Sequence, residues 1–323
     1  MECILTKPDK NRKTYIPKGY GKLIAILLSS AFLILIPYFA PLFWPAHIEH
    51  EKSFYFYYLI IVHSGIFILC NVTMYFIYKL EIDFFERYKV HDYEWPWNVN
   101  KSEWVKFLKK SILVIAFNQF VCTPFVLIIS QYFQKENIVR TDYESLPSLF
   151  EALIQIAFFI ICEDFGTYWG HRIFHWNVIY PYIHKIHHQY KNTISISSEY
   201  AHPIEFLGGN IIPTNLGMLI LQRRTHLLTL SMWIIIRIVK TTEAHSGYQF
   251  SWSPFKLLPY QIPSDYHNFH HSSGFNSNYG SFFLFWDSIC GTTHPDYNKQ
   301  YKKDKEVKED KEDKEVDDVK RNN

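Results

Sequence analysis

The sequence predicts an all-α integral membrane protein: a helical bundle of about four spans with a cytosolic helical cap that carries a histidine-rich di-metal site. Three observations carry that prediction. Long stretches hold no charged residue, basic residues alternate between successive loops, and histidines crowd into the C-terminal half at helical spacings. The chain divides into a basic N-terminal segment (1–22), a transmembrane region (23–145), a histidine-bearing domain (146–300) and a charged tail (301–323).

The spans come first. Residues 23–44 run for 22 positions without a charge, and about 20 apolar residues cross a bilayer. Residues 54–78 contain no Asp, Glu, Lys or Arg, and 111–133 make a third candidate. Residues 146–162, with Glu151 near the start, make a weaker fourth. The first run is too long for a signal-peptide core and no small-residue cleavage site follows it, so it reads as a retained anchor. The alternative is a large soluble protein with buried helices, but three uncharged runs of this length weigh against it. Two later apolar stretches, 206–221 and 227–239, flank Arg223, Arg224 and His226. A re-entrant hairpin, an interfacial pair or two further spans would all suit their length.

Loop charge sets orientation, because cytoplasmic loops carry the excess of Lys and Arg. Six basic residues precede the first span, from Lys7 to Lys22, and seven lie between 79 and 110, whereas the loop 45–53 has only Lys52 and the loop 134–145 only Lys135 and Arg140. Both termini and everything after residue 170 are therefore expected on the cytosolic side.

Composition excludes some classes. The chain has 323 residues with a net charge of +2, and its cations are not interleaved with aromatics along one face, so no nucleic-acid partner is expected. Five scattered cysteines without a CxxC pair read as free thiols. A mean hydropathy of −0.11 looks soluble only because the tail dilutes it. That tail, KKDKEVKEDKEDKEVDDVKR at 302–321, lacks aromatics and cannot bury enough area to fold alone. The chain closes on Lys320-Arg321-Asn322-Asn323, which resembles a dilysine-type retrieval signal of endoplasmic reticulum membrane proteins.

Of sixteen histidines, eleven fall between 171 and 271. His171 and His175 form HxxxH; His184, His187 and His188 form HxxHH; His267, His270 and His271 form HxxHH again. On a helix, residues i and i+4 share a face and i+3 lies close by. HxxxH aims two imidazoles at one point, and HxxHH adds a third from an adjacent flank. Neutral imidazole binds Fe, Zn, Cu and Ni. A metal takes about four to six ligands, so eight nitrogens imply two metals. Zinc hydrolases keep three protein ligands and need no such number. Two irons able to bind O₂ between them suit oxidation of an unactivated C–H bond, and a membrane supplies an apolar substrate. His47, His50, His63, His91, His226 and His294 are read as incidental, with His63 conspicuous inside the second span.

HRIFH, HKIHH and HNFHH resemble the three histidine boxes of the fatty acid hydroxylase and sterol desaturase superfamily. EDFGTYWGHRIFH (163–175) is similar to that family's approach to its first box, and NYGSFFLFWDSICGT (278–292) to the segment that closes the domain. EYAHPIE (199–205) and EAHSGYQFSW (243–252) are most like the sterol C-4 methyl oxidase branch. The resemblance covers about 145–295. It implies a non-haem di-iron monooxygenase of the endoplasmic reticulum membrane, with two Fe²⁺ ions, using O₂ and NAD(P)H-derived electrons. A b-type cytochrome and its NAD(P)H reductase would deliver the electrons, and other sterol C-4 demethylation enzymes would be partners. The implied reaction oxidises the C-4 methyl group of 4-methyl or 4,4-dimethyl sterols. His171, His175, His184, His187, His188, His267, His270 and His271 are then expected as catalytic metal ligands, with His245 of HSGY as a ninth. His202 of AHPIE is expected as a further metal ligand or as a donor behind one.

Three residues depart from the branch pattern. Asn268 stands where an Asp is usual, and is expected to accept the N–H of a ligating imidazole without its charge. Gln249 replaces an acid and Ser251 a proline. Glu163, Asp164 and Asp287 are expected either to fix the tautomer of a ligand or to be polar helix ends. Arg172 and Lys185 flank ligands and suit a lipid phosphate, the electron donor's acidic face or plain solvent. The competing reactions are sterol C-5 desaturation, sterol side-chain hydroxylation and fatty-acyl hydroxylation. A non-catalytic metal- or lipid-binding membrane protein is the distant alternative.

Overall fold

A computed structural model describes residues 20–91, 93–134 and 137–297; the basic N-terminal stretch to residue 19 and the acidic-basic tail lie outside them. Among the described residues the secondary structure is helical, with only isolated β-bridges. Eight helices organise the chain: α1 (Gly21–Phe43), α2 (Glu51–Leu80), α3 (Lys101–Tyr132), α4 (Leu149–Phe174), α5 (Pro203–Arg224), α6 (Leu227–Ala244), α7 (Ser264–Ser272) and α8 (Phe285–Cys290).

Four of these, α1, α2, α3 and α5, are long and apolar enough to cross a membrane. The chain is a multi-pass membrane helical bundle; by length and composition α5 is a candidate span, and α4, which holds most of 146–162 and packs against α5, falls short of that test. From residue 149 that stretch is the first half of α4, which continues through Glu163 and Asp164 to the first histidine box. The reading from 227–239 also resolves. Helix α6 buries most of its length, including Leu227, Leu230, Trp233 and Ile238, against α2 and α4, so it is a core helix of the bundle.

Two of the spans contain a π turn, and in each case a proline follows directly. Asn118–Cys122 precedes Pro124 in α3, and Phe206–Ile211 precedes Pro213 in α5. Proline has no N–H to give the regular i→i−4 bond and its ring crowds the preceding turn, so the turn widens. The wide turn in α3 aims Asn118 and Gln119 into the protein, where the Asn118 amide donates to Ala201 O (2.9 Å) and the Gln119 amide to Glu199 Oε2 (2.6 Å).

Helices α4 and α5 pack by small residues, as helices in membranes do. A Cβ on Gly217 would lie 2.5 Å from Phe159 Cδ1 and 3.1 Å from Phe159 Cα, and one on Gly166 3.1 Å from Pro213 Cβ. Gly217→Ala is therefore expected to cost about 1–3 kcal/mol by overpacking. A lowered thermal midpoint in detergent would show it, and an unchanged midpoint would contradict the contact.

Outside the spans, the high aromatic content finds its use. Tyr248, Phe250 and Trp252 stack in succession along an extended segment, with centroids 5.4 and 5.0 Å apart. Tyr78, at the end of α2, stacks on Tyr248 and joins the segments at either side by donating to Ser246 O and accepting from Ser195 N. The second span is thereby tied to both loops that enter the histidine cluster.

Candidate metal centre

The nine histidines singled out above converge from four elements. His171 and His175 sit in the last turn of α4. His184, His187 and His188 lie on a 3₁₀ turn, His184–Gln189. His245 follows the end of α6, and His267, His270 and His271 lie on α7. They form two groups: His171, His175, His184, His188 and His270 in one, His187, His245, His267 and His271 in the other, with the donor nitrogens of each group within 4.8 Å of one another.

The partition follows from helical spacing. Each HxxHH box sends its i and i+4 members to one group and its middle member to the other. His184 and His188 join the first group while His187 joins the second; His267 and His271 join the second while His270 joins the first. Both boxes thus bridge the two sites and hold them side by side.

The protonation pattern fits bound cations. His171 Nδ1 lies 3.1 Å from Tyr279 O, His187 Nδ1 3.1 Å from Tyr200 O, and His245 Nδ1 2.8 Å from Thr241 O. His270 and His271 make the same contact to Ser277 O and Tyr190 O. A carbonyl oxygen only accepts, so in each case Nδ1 carries the proton and Nε2 presents a lone pair. Yet His245 Nε2 lies 3.3 Å from His187 Nε2. Two lone pairs at that distance repel unless a cation sits between them. Nitrogens about 2.1 Å from one metal stand about 3.0–3.4 Å apart. The distances His188–His184 (3.1 Å), His271–His267 (3.2 Å) and His267–His245 (2.9 Å) fall close to that spacing. Both nitrogens of His175 and the Nε2 of His270 are buried without a hydrogen-bond partner, and a lone pair so placed suits a metal ligand.

Burial keeps the rings neutral. It pushes His171 and His187 down to about 4 and the other ligands of both groups below the ordinary histidine range. In the unfolded chain these rings titrate near about 6.5. Between that value and about 4 the unfolded state binds protons the native state does not, so native stability falls as pH falls through this window and is complete above it. Metal-free protein in detergent is expected to show a thermal midpoint that drops between pH 7 and pH 5; a midpoint flat over that range would contradict neutral, buried imidazoles.

Other candidate residues take different places. His202 lies outside both groups: its Nδ1 accepts from Ile204 N and caps the start of α5. Asn268 does not reach an imidazole. Its Oδ1 accepts from the Thr193 N–H and hydroxyl, tethering α7 to the loop after the second box. Asp164 and Asp287 instead hold backbone N–H groups of the segment that closes the domain, and Glu163 lies beside Thr167 and Arg237. Asp164 accepts from Phe282 N and Phe283 N, and Asp287 from Tyr279 N and Gly280 N. Together they fix the 279–283 segment whose Tyr279 carbonyl orients His171. Gln249 accepts from Asp265 N at the start of α7, and Ser251 meets Tyr88. The Arg172 guanidinium donates to the Tyr168 hydroxyl, whereas Lys185 is exposed. His63 has a partner after all: its Nε2 lies 3.4 Å from Glu199 Oε1.

Sequence reasoning passed over three residues that the structure brings to the centre. Glu205, the last residue of EYAHPIE, places Oε1 2.8 Å from His184 Nδ1 and is the carboxylate that does meet a ligand. Arg237 and Lys240 project from α6 into a cavity of about 90 Å³, which His171, His184, His187 and His245 also line. The available signal was two cations inside the apolar run WIIIRIVK, spaced to share a face with the residue before His245. A second, apolar cavity of about 850 Å³ lies between α4, α5 and α8, lined by Phe165, Leu216, Ile220, Phe283 and Trp286 among others. Residues 163–164 and 280–283 form the wall between the two, with Ser281 facing the small cavity and Phe283 the large one.

Comparison with known proteins gives a consistent picture. The profile of the fatty acid hydroxylase domain matches residues 156–292. A very-long-chain aldehyde decarbonylase, GL1-8, of Oryza sativa subsp. indica is 31% identical over 251 residues, 76% of this chain and 85% of the relative. A putative methylsterol monooxygenase of Dictyostelium discoideum is 31% identical over 266 residues, 81% of this chain and 93% of the relative. Methylsterol monooxygenase 2-2 of Arabidopsis thaliana is 42% identical over 153 residues, 46% of this chain and 55% of the relative. No solved structure matches.

Proposed function

The chain belongs to the fatty acid hydroxylase family, and from that premise we propose that it is a membrane-bound sterol C-4 methyl oxidase. It is an oxidoreductase of that superfamily by descent; the proposal concerns the substrate, the metal and the setting. The observation that carries it is the pairing of two adjacent nitrogen-donor groups with a small buried cavity and, across one wall, a large apolar one.

Two irons bound by His171, His175, His184, His188 and His270 on one side and His187, His245, His267 and His271 on the other would supply activation of O₂ for attack on a C–H bond. Five and four nitrogens leave each metal short of six ligands. The chain's own residues do the rest. Carbonyls of residues 190, 200, 241, 277 and 279 hold the imidazole protons away from the metals. The 850 Å³ cavity is large enough for the apolar body of a rigid lipid, and it abuts the wall at 280–283 on whose other side the small cavity lies. Electrons would come from NAD(P)H through a b-type cytochrome and its reductase. The proposed setting is the endoplasmic reticulum membrane, with both termini on the cytosolic side, an orientation that loop charge supports.

The names of the Arabidopsis and Dictyostelium relatives favour the sterol substrate; that of the rice relative favours a long-chain aldehyde. Lipid profiling of cells with this gene silenced separates them. A rise in 4,4-dimethyl or 4-methyl sterols is the expected result. Unchanged sterols with a rise in very-long-chain aldehydes, in 5-saturated sterols or in unhydroxylated acyl chains would overturn the substrate while leaving the centre in place.

A further inference from the structure

The small cavity at the metal centre is not lined as a hydrocarbon pocket would be. Arg237 is buried, its Nη2 donates to Asn210 Oδ1, and its Nε has no hydrogen-bond partner. Glu163 Oε1 stands 3.8 Å from that Nε, too far for a hydrogen bond, and Glu163 Oε2 is likewise unpartnered. Burial pushes the Glu163 carboxyl above the usual carboxylate range, against the pull of Arg237 and Lys240. Lys240, by contrast, is engaged elsewhere: its Nζ donates to Ile262 O at 2.7 Å and lies over the rings of Phe255 and Phe282. Arg237 therefore carries one buried, unpartnered donor, its Nε–H, beside the space that His171, His184 and His245 line. About 90 Å³ corresponds to roughly three water molecules, enough for a carboxylate and too little for a ring system.

We infer that Arg237 is a specificity-determining residue that receives the carboxylate made when the methyl group is oxidised to its end point. The inference rests on the sterol C-4 oxidase reading above. Three rounds convert methyl to acid. Each takes one O₂, two electrons from the NAD(P)H-derived donor and two protons; one oxygen atom enters the carbon and the other leaves as water. The second round yields a gem-diol that loses one further water to give the aldehyde. The third gives the acid, whose O–H then ionises and releases its proton. Alcohol and aldehyde are neutral, and only the last species is an anion. A buried guanidinium N–H binds a carboxylate through a charge-assisted hydrogen bond, so Arg237 discriminates the third product from the first two.

The test uses the full-length holoenzyme in detergent without O₂, so that binding is read without turnover, with a 4-carboxysterol and a 4-hydroxymethylsterol as the two probes. Arg237→Gln is expected to weaken the carboxysterol by about tenfold to a hundredfold while changing the hydroxymethylsterol by less than about threefold. Asn210→Asp is expected to act in the same direction, by placing a competing carboxylate on Arg237, and it carries the test if Arg237→Gln does not fold; metal content monitors folding in both. An unchanged ratio of the two affinities in a variant that retains its metal overturns the assignment of Arg237 alone. Wild-type protein that binds neither sterol overturns the substrate reading, and this inference with it.

Discussion

Replacing His187 by alanine is expected to abolish turnover and to empty one metal site. His187 is one of only four nitrogens in the second group, and its Nε2 faces that of His245 at 3.3 Å. Its removal leaves three donors around the place where a cation would be held. It also frees the Tyr200 carbonyl, the acceptor that fixed the ring. A reaction that depends on metal-assisted O₂ activation loses several kcal/mol of transition-state stabilisation, so turnover should fall by at least about a thousandfold. Metal content should fall from about two per chain to about one, because the first group keeps all five of its donors. Normal activity in membranes containing this variant would contradict the assignment of the second group.

The second large effect is expected at Glu205. Its Oε1 lies 2.8 Å from His184 Nδ1, and both side chains are almost fully enclosed. Carboxylates behind a ligating imidazole raise its basicity and fix its ring, and losing one costs about 10–100-fold in metal affinity. Glu205→Ala should therefore release metal to a chelator at a concentration about 10–100-fold lower than wild type requires, selectively from the site of His184. Glu205→Gln keeps an oxygen acceptor without the charge and should fall between the two. A chelation curve that superimposes on the wild type in Glu205→Ala would show that the contact does nothing for the metal.

Much of this centre was legible in the sequence, because i, i+3 and i+4 spacing converts directly into shared and adjacent faces. Three clustered motifs therefore specified both the number of sites and their proximity, even though the second box turns out to be 3₁₀. Other features depended on distant parts of the chain. His202 stands in a segment that resembles the family's, but it lies at a helix start, where capping the Ile204 N–H takes its nitrogen. Asn268 was expected beside an imidazole; instead Thr193, 75 positions away, takes its Oδ1, while five of the ligand rings find backbone carbonyls up to 108 positions away. Hydropathy alone could not rank α4 against α5 as a span, since α4 joins an apolar first half to a charged second half that lines the cavity. His63 made sense only once Glu199 was placed beside it, itself held by Gln119 from the π turn of α3.

The most direct check of the two-site arrangement is elemental analysis of the purified full-length protein alongside His175→Ala and His271→Ala, one from each group. About two irons per chain in the wild type, and about one in each variant, is the expected result. A wild-type content of one or none, or a content that neither substitution alters, would contradict a centre built from two histidine groups.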